Sequence, residues 1–169
     1  MANSGYSGFT KDNIMKDAGN YEKAQSDAIK FIKYRPRSVS EVRERLNLKK
    51  YSGEIIDKVI QYLSEISLLD DVVFAKMWVN GRILSKNFGP VKIKAELSHK
   101  GIPNEVILEI VENAYSENDE NSLAENVLRK KYRNDPNCMD FQKAVNLLVR
   151  KGFSYSVSKS AVKKFQEKF

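Results

Sequence analysis

Cysteine and histidine are almost absent from this chain. Its 169 residues include one cysteine, Cys138, and one histidine, His99. A single cysteine excludes a disulfide within the chain and favours a reducing compartment. Neither residue has a second imidazole or thiol with which to build a nucleophile and its base, so catalysis at these positions is not expected. We interpret His99 as a helix-end residue that favours the helix dipole, and Cys138 as an ordinary thiol in a polar loop.

Long apolar runs and nucleotide-binding motifs are also missing. No apolar segment is long enough to cross a membrane and no signal-peptide pattern opens the chain, so we expect a cytoplasmic protein. A phosphate-binding loop of the form G-x-x-x-x-G-K-[ST] does not occur, which argues against ATP hydrolysis. Asp70 and Asp71 precede an apolar helix and are interpreted as cap and first-turn residues rather than metal ligands. The sequence thus predicts no enzymatic activity, no metal and no cofactor.

Basic side chains, by contrast, outnumber acidic ones. The chain has 29 Lys and Arg against 22 Asp and Glu, for a formal net charge of +7. Such an excess favours a polyanionic partner or an acidic protein surface. For any single lysine the alternative is a solvated helix face without a binding role.

The chain repeats itself every 51 residues. The recurrence covers helix-start candidates, core leucines and helix-end lysines, namely Ser38, Gly89 and Asp140, then Leu46, Leu97 and Leu148, then Lys49, Lys100 and Lys151. Agreement of caps and core positions over two shifts indicates an internal repeat. In the first unit, Glu41 is placed to complete a capping box with Ser38.

The repeat predicts an all-α protein of three tandem three-helix repeats. Periodic apolar residues and helix start and stop signals divide each repeat into three helices, with the first helix beginning near Asn20. The predicted segments are a flexible N-terminal lead-in over residues 1–19 and repeats over residues 20–68, 69–118 and 119–169. One such repeat has a thin core, so its helices must bury surface together and against neighbouring repeats.

One stretch of the chain has a specific residue spacing. It reads Leu69-Asp70-Asp71-x-x-Phe74-Ala75-x-x-Trp78-Val79-x-x-Arg82, followed by Gly89-Pro90-x-x-Ile93-x-x-Glu96-Leu97-x-x-Lys100-Gly101-Ile102. This pattern resembles the RecX family of bacterial recombinase regulators, and weaker similarity extends from about Ala28 to the C-terminus. Most of the matching residues are caps and core residues, so the resemblance identifies a fold better than a site.

The resemblance implies an elongated, curved array of helical repeats that regulates the RecA recombinase. Such a protein binds RecA filaments on DNA in their helical groove and inhibits ATP hydrolysis, strand exchange and filament growth, so modulating recombination and DNA repair. The expected partner is therefore the RecA filament, with contact to single- or double-stranded DNA through the phosphate backbone, and the expected state is a monomer. The alternative is an independent helical protein that binds nucleic acid without sequence specificity.

Base-specific readout by a helix-turn-helix is not expected, because the third helices of the first two repeats carry Glu54 and Glu105 at their starts, whose carboxylates would repel phosphates. The third repeat, with Tyr155, Ser156 and Lys159 at this place, is less unfavourable. Contact with the phosphate backbone of DNA stays an alternative. We predict that the partner-binding residues are basic residues of all three repeats. Arg82 and Lys100 fall in the family pattern, and the others are chosen for their charge. The full set is Arg35, Arg37, Arg43, Lys49, Lys50, Arg82, Lys86, Lys92, Lys100, Arg129, Lys130, Arg133 and Lys151.

Overall fold

The computed structural model describes the backbone of residues 11–133 and 139–168, and the side chains of those residues from residue 19 onward. Cys138 and its predicted polar loop lie outside the described residues. Within the described ranges every regular element is an α-helix, which confirms the predicted all-α class. None of the helices in these ranges is long and apolar enough to span a membrane.

The helices of the described residues form three groups of three. Their second helices begin at Val39, Pro90 and Phe141, each 51 residues after its counterpart, which confirms the internal repeat. The third helices keep the same spacing. The bounds are α1 Lys11–Tyr34, α2 Val39–Leu48, α3 Gly53–Glu65, α4 Asp71–Lys86, α5 Pro90–His99, α6 Asn104–Glu117, α7 Glu120–Lys131, α8 Phe141–Lys151 and α9 Tyr155–Gln166.

The first helix is longer than the sequence indicated. It begins at Lys11, whereas the apolar stripe predicted a start near Asn20 and a flexible lead-in before it. The lead-in prediction is therefore wrong from Lys11 onward, and residues 1–10 lie outside the described residues. An apolar stripe marks only the part of a helix that packs. Once the packed part is nucleated, each added residue gains a hydrogen bond, so the helix extends into polar sequence.

The first compact unit ends at Asp70 and contains α1, α2 and α3. α2 starts with the predicted capping box, which is confirmed. The Ser38 hydroxyl accepts a hydrogen bond of 3.2 Å from the Glu41 amide, and the Glu41 carboxylate accepts one of 3.2 Å from the Ser38 amide. The apolar faces of the three helices close one core, formed by Ala24, Ala28, Val42, Leu46, Ile55, Ile56, Val59, Ile60, Leu63 and Leu69.

The second compact unit begins at Asp71 and contains α4 to α9, arranged around two cores. α4, α5 and α6 enclose one core, whose largest fully buried residues include Ile93 and Leu97. α7, α8 and α9 enclose the other, with Leu148 and Phe153 fully or almost fully buried. Leu123 of α7 packs against both cores, so the two three-helix groups share apolar surface.

Each second helix ends in the same left-handed turn. Lys50, Gly101 and Gly152 occupy equivalent positions with φ of 64°, 74° and 96°. A residue in this conformation lets the next amide bond back to a carbonyl of the last turn, which is the Schellman ending of a helix. These amide-to-carbonyl bonds run from Tyr51 to Leu46, from Ile102 to Leu97 and from Phe153 to Leu148.

The end of α8 meets the start of α5 through the main chain. The amide of Gly89 donates a 2.9 Å hydrogen bond to the carbonyl of Lys151, and the amide of Val91 donates a 3.0 Å bond to the carbonyl of Gly152. Free amides at a helix start and free carbonyls at a helix end thereby satisfy one another. A Cβ on Gly89 would lie 2.4 Å from the Gly152 carbonyl carbon, so this close approach requires glycine. We call this contact the α5–α8 junction.

Candidate binding surface

The predicted basic residues of the first unit are largely neutralised by carboxylates. Arg35 places Nη2 2.8 Å from the Glu41 carboxylate, the same group that completes the capping box of α2. Arg37 lies 4.0 Å from Glu41, and its guanidinium stacks 3.8 Å from the centre of the Phe31 ring. Only 16% of the Arg37 side chain is exposed, and burial, together with the charge of Arg35, lowers its pKa. Arg37 therefore packs on the protein rather than projecting into solvent.

Two more of the predicted cations in this unit are also paired. Arg43 of α2 lies 2.7 Å from the carboxylate of Asp57 in α3. Lys49 lies 2.7 Å from the Asp27 carboxylate, which also accepts a 2.8 Å hydrogen bond from the Tyr51 hydroxyl. The hydrogen bonds from Lys49 and Tyr51 lower the pKa of Asp27. The lysine at the end of α2 thus ties that helix to α1.

The residues of the family pattern in the second unit form one packed cluster. Glu96 accepts hydrogen bonds from the Trp78 indole at 2.9 Å and from Arg82 Nε at 2.6 Å. The Arg82 guanidinium lies 4.2 Å from the Trp78 ring centre, and Lys100 Nζ lies 4.8 Å from it. These contacts bind α4 to α5. Arg82 is paired with Glu96, and its side chain is only 30% exposed. The packing of α4 on α5 therefore explains why an arginine stands at this position of the family pattern.

Four other predicted cations gather near the α5–α8 junction, on four different helices. Lys86 ends α4, Lys92 lies in the first turn of α5, Lys130 lies in the last turn of α7, and Lys151 ends α8. The ring of Phe88 lies among them, 4.3 Å from Lys92 Nζ and 5.1 Å from Lys151 Nζ. We call Lys86, Lys92, Lys130 and Lys151 the lysine cluster.

The lysine cluster has no counter-charge among the described residues. None of its four side chains forms an ion pair with a described carboxylate, in contrast to the paired cations of the first unit. Burial lowers the pKa of Lys151, and the positive charges of Lys92, Lys86 and Lys130 lower it further. Like charges held this close repel one another, and a bound anion would relieve that repulsion.

A cleft of ≈ 290 Å³ opens beside the cluster. Among the described residues, every charged side chain that lines it is a lysine, namely Lys86, Lys130, Lys131 and Lys151. Its remaining wall, within the described part of the chain, is polar at Ser85 and Asn87 and apolar at Val127 and Leu147. We call this space the lysine cleft.

The three remaining predicted cations are exposed. Lys50, Arg129 and Arg133 form no ion pair with an acidic side chain in the described ranges. Their roles in partner binding, like those of the other predicted residues, stay predictions. The structure brings Lys86, Lys92, Lys130 and Lys151 together in the second unit.

The other residues considered from the sequence lie at ordinary positions. His99 is exposed and is the last residue of α5, the helix end predicted for it. No group of three or more His, Cys, Asp and Glu side chains is placed to hold a metal ion in the part of the chain that the structure describes. Glu54 and Glu105 lie in the first turns of α3 and α6, as predicted.

Sequence reasoning missed the ion pairs and the lysine cleft. The carboxylate partners Asp27, Asp57 and Glu96 lie 22, 14 and 14 residues from Lys49, Arg43 and Arg82, beyond the reach of helical spacing rules. The cleft depends on how the ends of α4 and α7 pack beside α8. The α5–α8 junction, in which the Lys151 carbonyl takes part, had glycine at positions 89 and 152 as its only visible signal. A repeat-to-repeat comparison of these glycines could have suggested a close main-chain contact.

Comparison with known proteins agrees with this architecture. Residues 24–63 match the first three-helix domain of RecX, and residues 70–109 match its second three-helix domain. The regulatory protein RecX of Finegoldia magna is 32% identical over 140 residues, which cover 78% of this chain and 66% of that protein. The regulatory protein RecX of Listeria welshimeri is 29% identical over 149 residues, covering 87% of this chain and 55% of that protein. The chain therefore spans little more than half of the Listeria relative.

A solved structure shows the same fold. The crystal structure of RecX from Lactobacillus salivarius superposes with a TM-score of 0.76 at 23% identity, covering 89% of this chain and 99% of that one. The chain is thus an all-α protein built of tandem three-helix units. A cluster of lysines lies on the surface of its second unit. The chain belongs to the RecX family of regulatory proteins.

Proposed function

We propose that this protein regulates the RecA recombinase by binding RecA filaments in their helical groove and inhibiting ATP hydrolysis, strand exchange and filament growth. Membership of a family of regulatory proteins supports a regulatory role. In this proposal the protein acts by occupying the filament and catalyses no reaction of its own. Recombination and DNA repair are then the processes it modulates.

The observation that carries this proposal is the contrast between paired and unpaired cations. An exposed cation that already faces a carboxylate adds little to the attraction of a polyanion, because the pair is nearly neutral. The four lysines of the lysine cluster have no carboxylate partner among the described residues, and they lie close together on the surface of the second unit. A filament of protein and DNA presents phosphates and carboxylates that such a surface can meet.

The test compares inhibition of RecA with binding to DNA alone. ATP hydrolysis by RecA on single-stranded DNA is measured against the concentration of this protein, and binding to the same DNA without RecA is followed by fluorescence anisotropy. Inhibition at concentrations that leave naked DNA unbound supports a regulator that acts on the filament. Inhibition that appears only when naked DNA is also covered would contradict it.

A second candidate function is binding of nucleic acid without sequence specificity. The same unpaired lysines favour it, because lysine contacts to phosphates provide affinity that is independent of sequence. The acidic first turns of α3 and α6 argue against base readout by those helices. Under this alternative the affinity for naked DNA should fall steeply with salt and should account for any effect on RecA.

A further inference from the structure

We propose that the lysine cleft binds a condensed phosphate, a ligand in which two or three phosphoryl groups are joined directly. Inorganic tripolyphosphate and the phosphate chain of a nucleoside triphosphate share this chemistry. The proposal goes beyond the binding of RecA filaments, since it assigns a small-molecule site to the second unit.

Charge is the first support for this ligand class. Lys86, Lys130, Lys131 and Lys151 line the cleft, Lys92 lies close enough to Lys151 to repel it, and no described acidic side chain lines the wall. A single phosphodiester carries one negative charge and would leave most of this positive charge unbalanced. A tripolyphosphate places several negative charges on adjacent atoms, which matches several ammonium groups that converge from separate helices.

Size and shape are the second support. The cleft has a volume of ≈ 290 Å³, close to the lower end of the roughly 300–1,000 Å³ of typical ligand pockets. It therefore suits a compact ligand. Its apolar residues, Val127 and Leu147, are both aliphatic, so the described part of the cleft wall offers no aromatic face for a base.

The surroundings of Phe88 argue against a single-stranded nucleic acid as the ligand. Proteins that hold single strands stack the bases on aromatic rings. Here Lys92 and Lys151 already lie within 4.3 Å and 5.1 Å of the Phe88 ring centre, and Arg82 lies 6.0 Å from it. Cations thus surround the Phe88 ring, which favours phosphate contact over base stacking at this ring.

Binding in this cleft has a structural consequence. Lys86 belongs to the first three-helix group of the second unit, whereas Lys130 and Lys151 belong to the second group. A phosphate chain held by all three lysines would bridge the two groups beside the α5–α8 junction. Ligand should therefore raise the thermal stability of the protein, because it binds the folded arrangement and not the unfolded chain.

The experiment uses the full chain without RecA. Tripolyphosphate, ATP and a 20-nucleotide oligothymidylate are each titrated by calorimetry at constant ionic strength, and the melting temperature is recorded with each. The expected result is saturable binding of one tripolyphosphate per chain, with a rise in melting temperature. ATP should bind at the same site and compete with tripolyphosphate. Oligothymidylate binding in the absence of tripolyphosphate binding would overturn the proposal and make the cleft a nucleic-acid contact.

A pair of double variants tests the location of the site. Lys86→Gln with Lys130→Gln removes two charges from the cleft, and both side chains are exposed, so the fold should persist. Lys50→Gln with Lys58→Gln removes two exposed charges from the first unit as the matched control. The cleft variant should lose at least tenfold in tripolyphosphate affinity, while the control stays within about twofold. Equal losses in both variants, or no tripolyphosphate binding by the parent, would overturn the proposal.

Discussion

The main-chain amide of Gly89 donates a hydrogen bond of 2.9 Å to the carbonyl of Lys151, so the start of α5 rests on the end of α8. The residues are 62 positions apart and belong to different three-helix groups of the second unit. This bond places Lys92 and Lys151 on either side of one junction, close to the Phe88 ring. Two members of the lysine cluster therefore lie beside a contact between two stretches of main chain.

Replacing Gly89 with alanine should destabilise this junction. The new Cβ would lie 2.4 Å from main-chain atoms of Gly152, which cannot move aside like the end of a side chain. We expect a loss of about 1–3 kcal/mol in the free energy of unfolding, measured by urea denaturation. Gly81→Ala is the matched control, because its Cβ meets nothing within 4 Å and lies inside α4. The control should gain about 0.5–1 kcal/mol, and equal effects at both sites would refute the steric argument.

Replacing Lys50 with glycine should stabilise the first unit. Lys50 has φ of 64°, the left-handed conformation that glycine adopts at the equivalent positions Gly101 and Gly152. A side chain in this region costs about 1–2 kcal/mol, and glycine removes that cost although it loosens the unfolded chain. The expected net gain is about 0.5–1 kcal/mol by thermal denaturation. Lys50→Gln removes the charge but keeps the Cβ, so it should show no gain; a gain in this control would point to charge instead.

Replacing Glu120 with glutamine should stabilise the protein at neutral pH. The Oε1 of Glu120 is buried and meets no hydrogen-bond partner among the described residues. Burial raises the pKa of Glu120, and the nearby charge of Asp119 raises it further, against the opposing effect of a main-chain bond from Ser154. An acid whose pKa is higher in the folded state destabilises the fold increasingly as pH rises from the unfolded value to the folded one.

The Glu120→Gln variant should therefore melt at a higher temperature than the parent at pH 7. The difference should disappear below about pH 4.3, the ordinary value of the glutamate pKa, where the parent side chain is protonated in both states. Melting curves of both proteins between pH 4 and pH 8 provide the measurement. A difference that stays constant across this range would rule out titration of Glu120 as its cause.

Replacing Glu96 with alanine should loosen the contact between α4 and α5. The change leaves the Trp78 indole and the Arg82 guanidinium without their shared acceptor. We expect a cost of about 1.5–3 kcal/mol, the usual range for hydrogen bonds to a charged group. Trp78 is the single tryptophan of the chain, so its fluorescence reports directly on this site and should shift to longer wavelength. Glu109→Ala, at an exposed position of α6, should leave both readouts unchanged.

Paired and unpaired cations should differ in their effect on RecA. Lys86→Gln with Lys130→Gln removes two charges that face no described carboxylate, and we expect at least tenfold weaker inhibition of RecA ATP hydrolysis. Arg35→Gln with Arg43→Gln removes two charges that already face Glu41 and Asp57, and inhibition should change by no more than about threefold. Filament binding by the first variant should also depend less on salt concentration. The opposite order of effects would place the binding surface on the first unit.

The repeat and its helices could be deduced from sequence because their signals are local. Ser38 with Glu41, proline at the start of α5, and glycine after α5 and α8 act within one helical turn, so their spacing alone predicts where helices begin and end. The start of α1 at Lys11 escaped prediction, since a helix that extends beyond its packed part needs no apolar pattern.

The candidate site required the tertiary structure. Lys49, Lys100 and Lys151 are equivalent in sequence, yet Lys49 pairs with Asp27, Lys100 lies over Trp78, and Lys151 joins the lysine cluster. The sequence determined that each lysine ends a second helix, because helix ends are set by neighbouring residues. Only the packing of helices decided what each ammonium group meets, because an electrostatic partner is chosen by distance in space and not by distance along the chain.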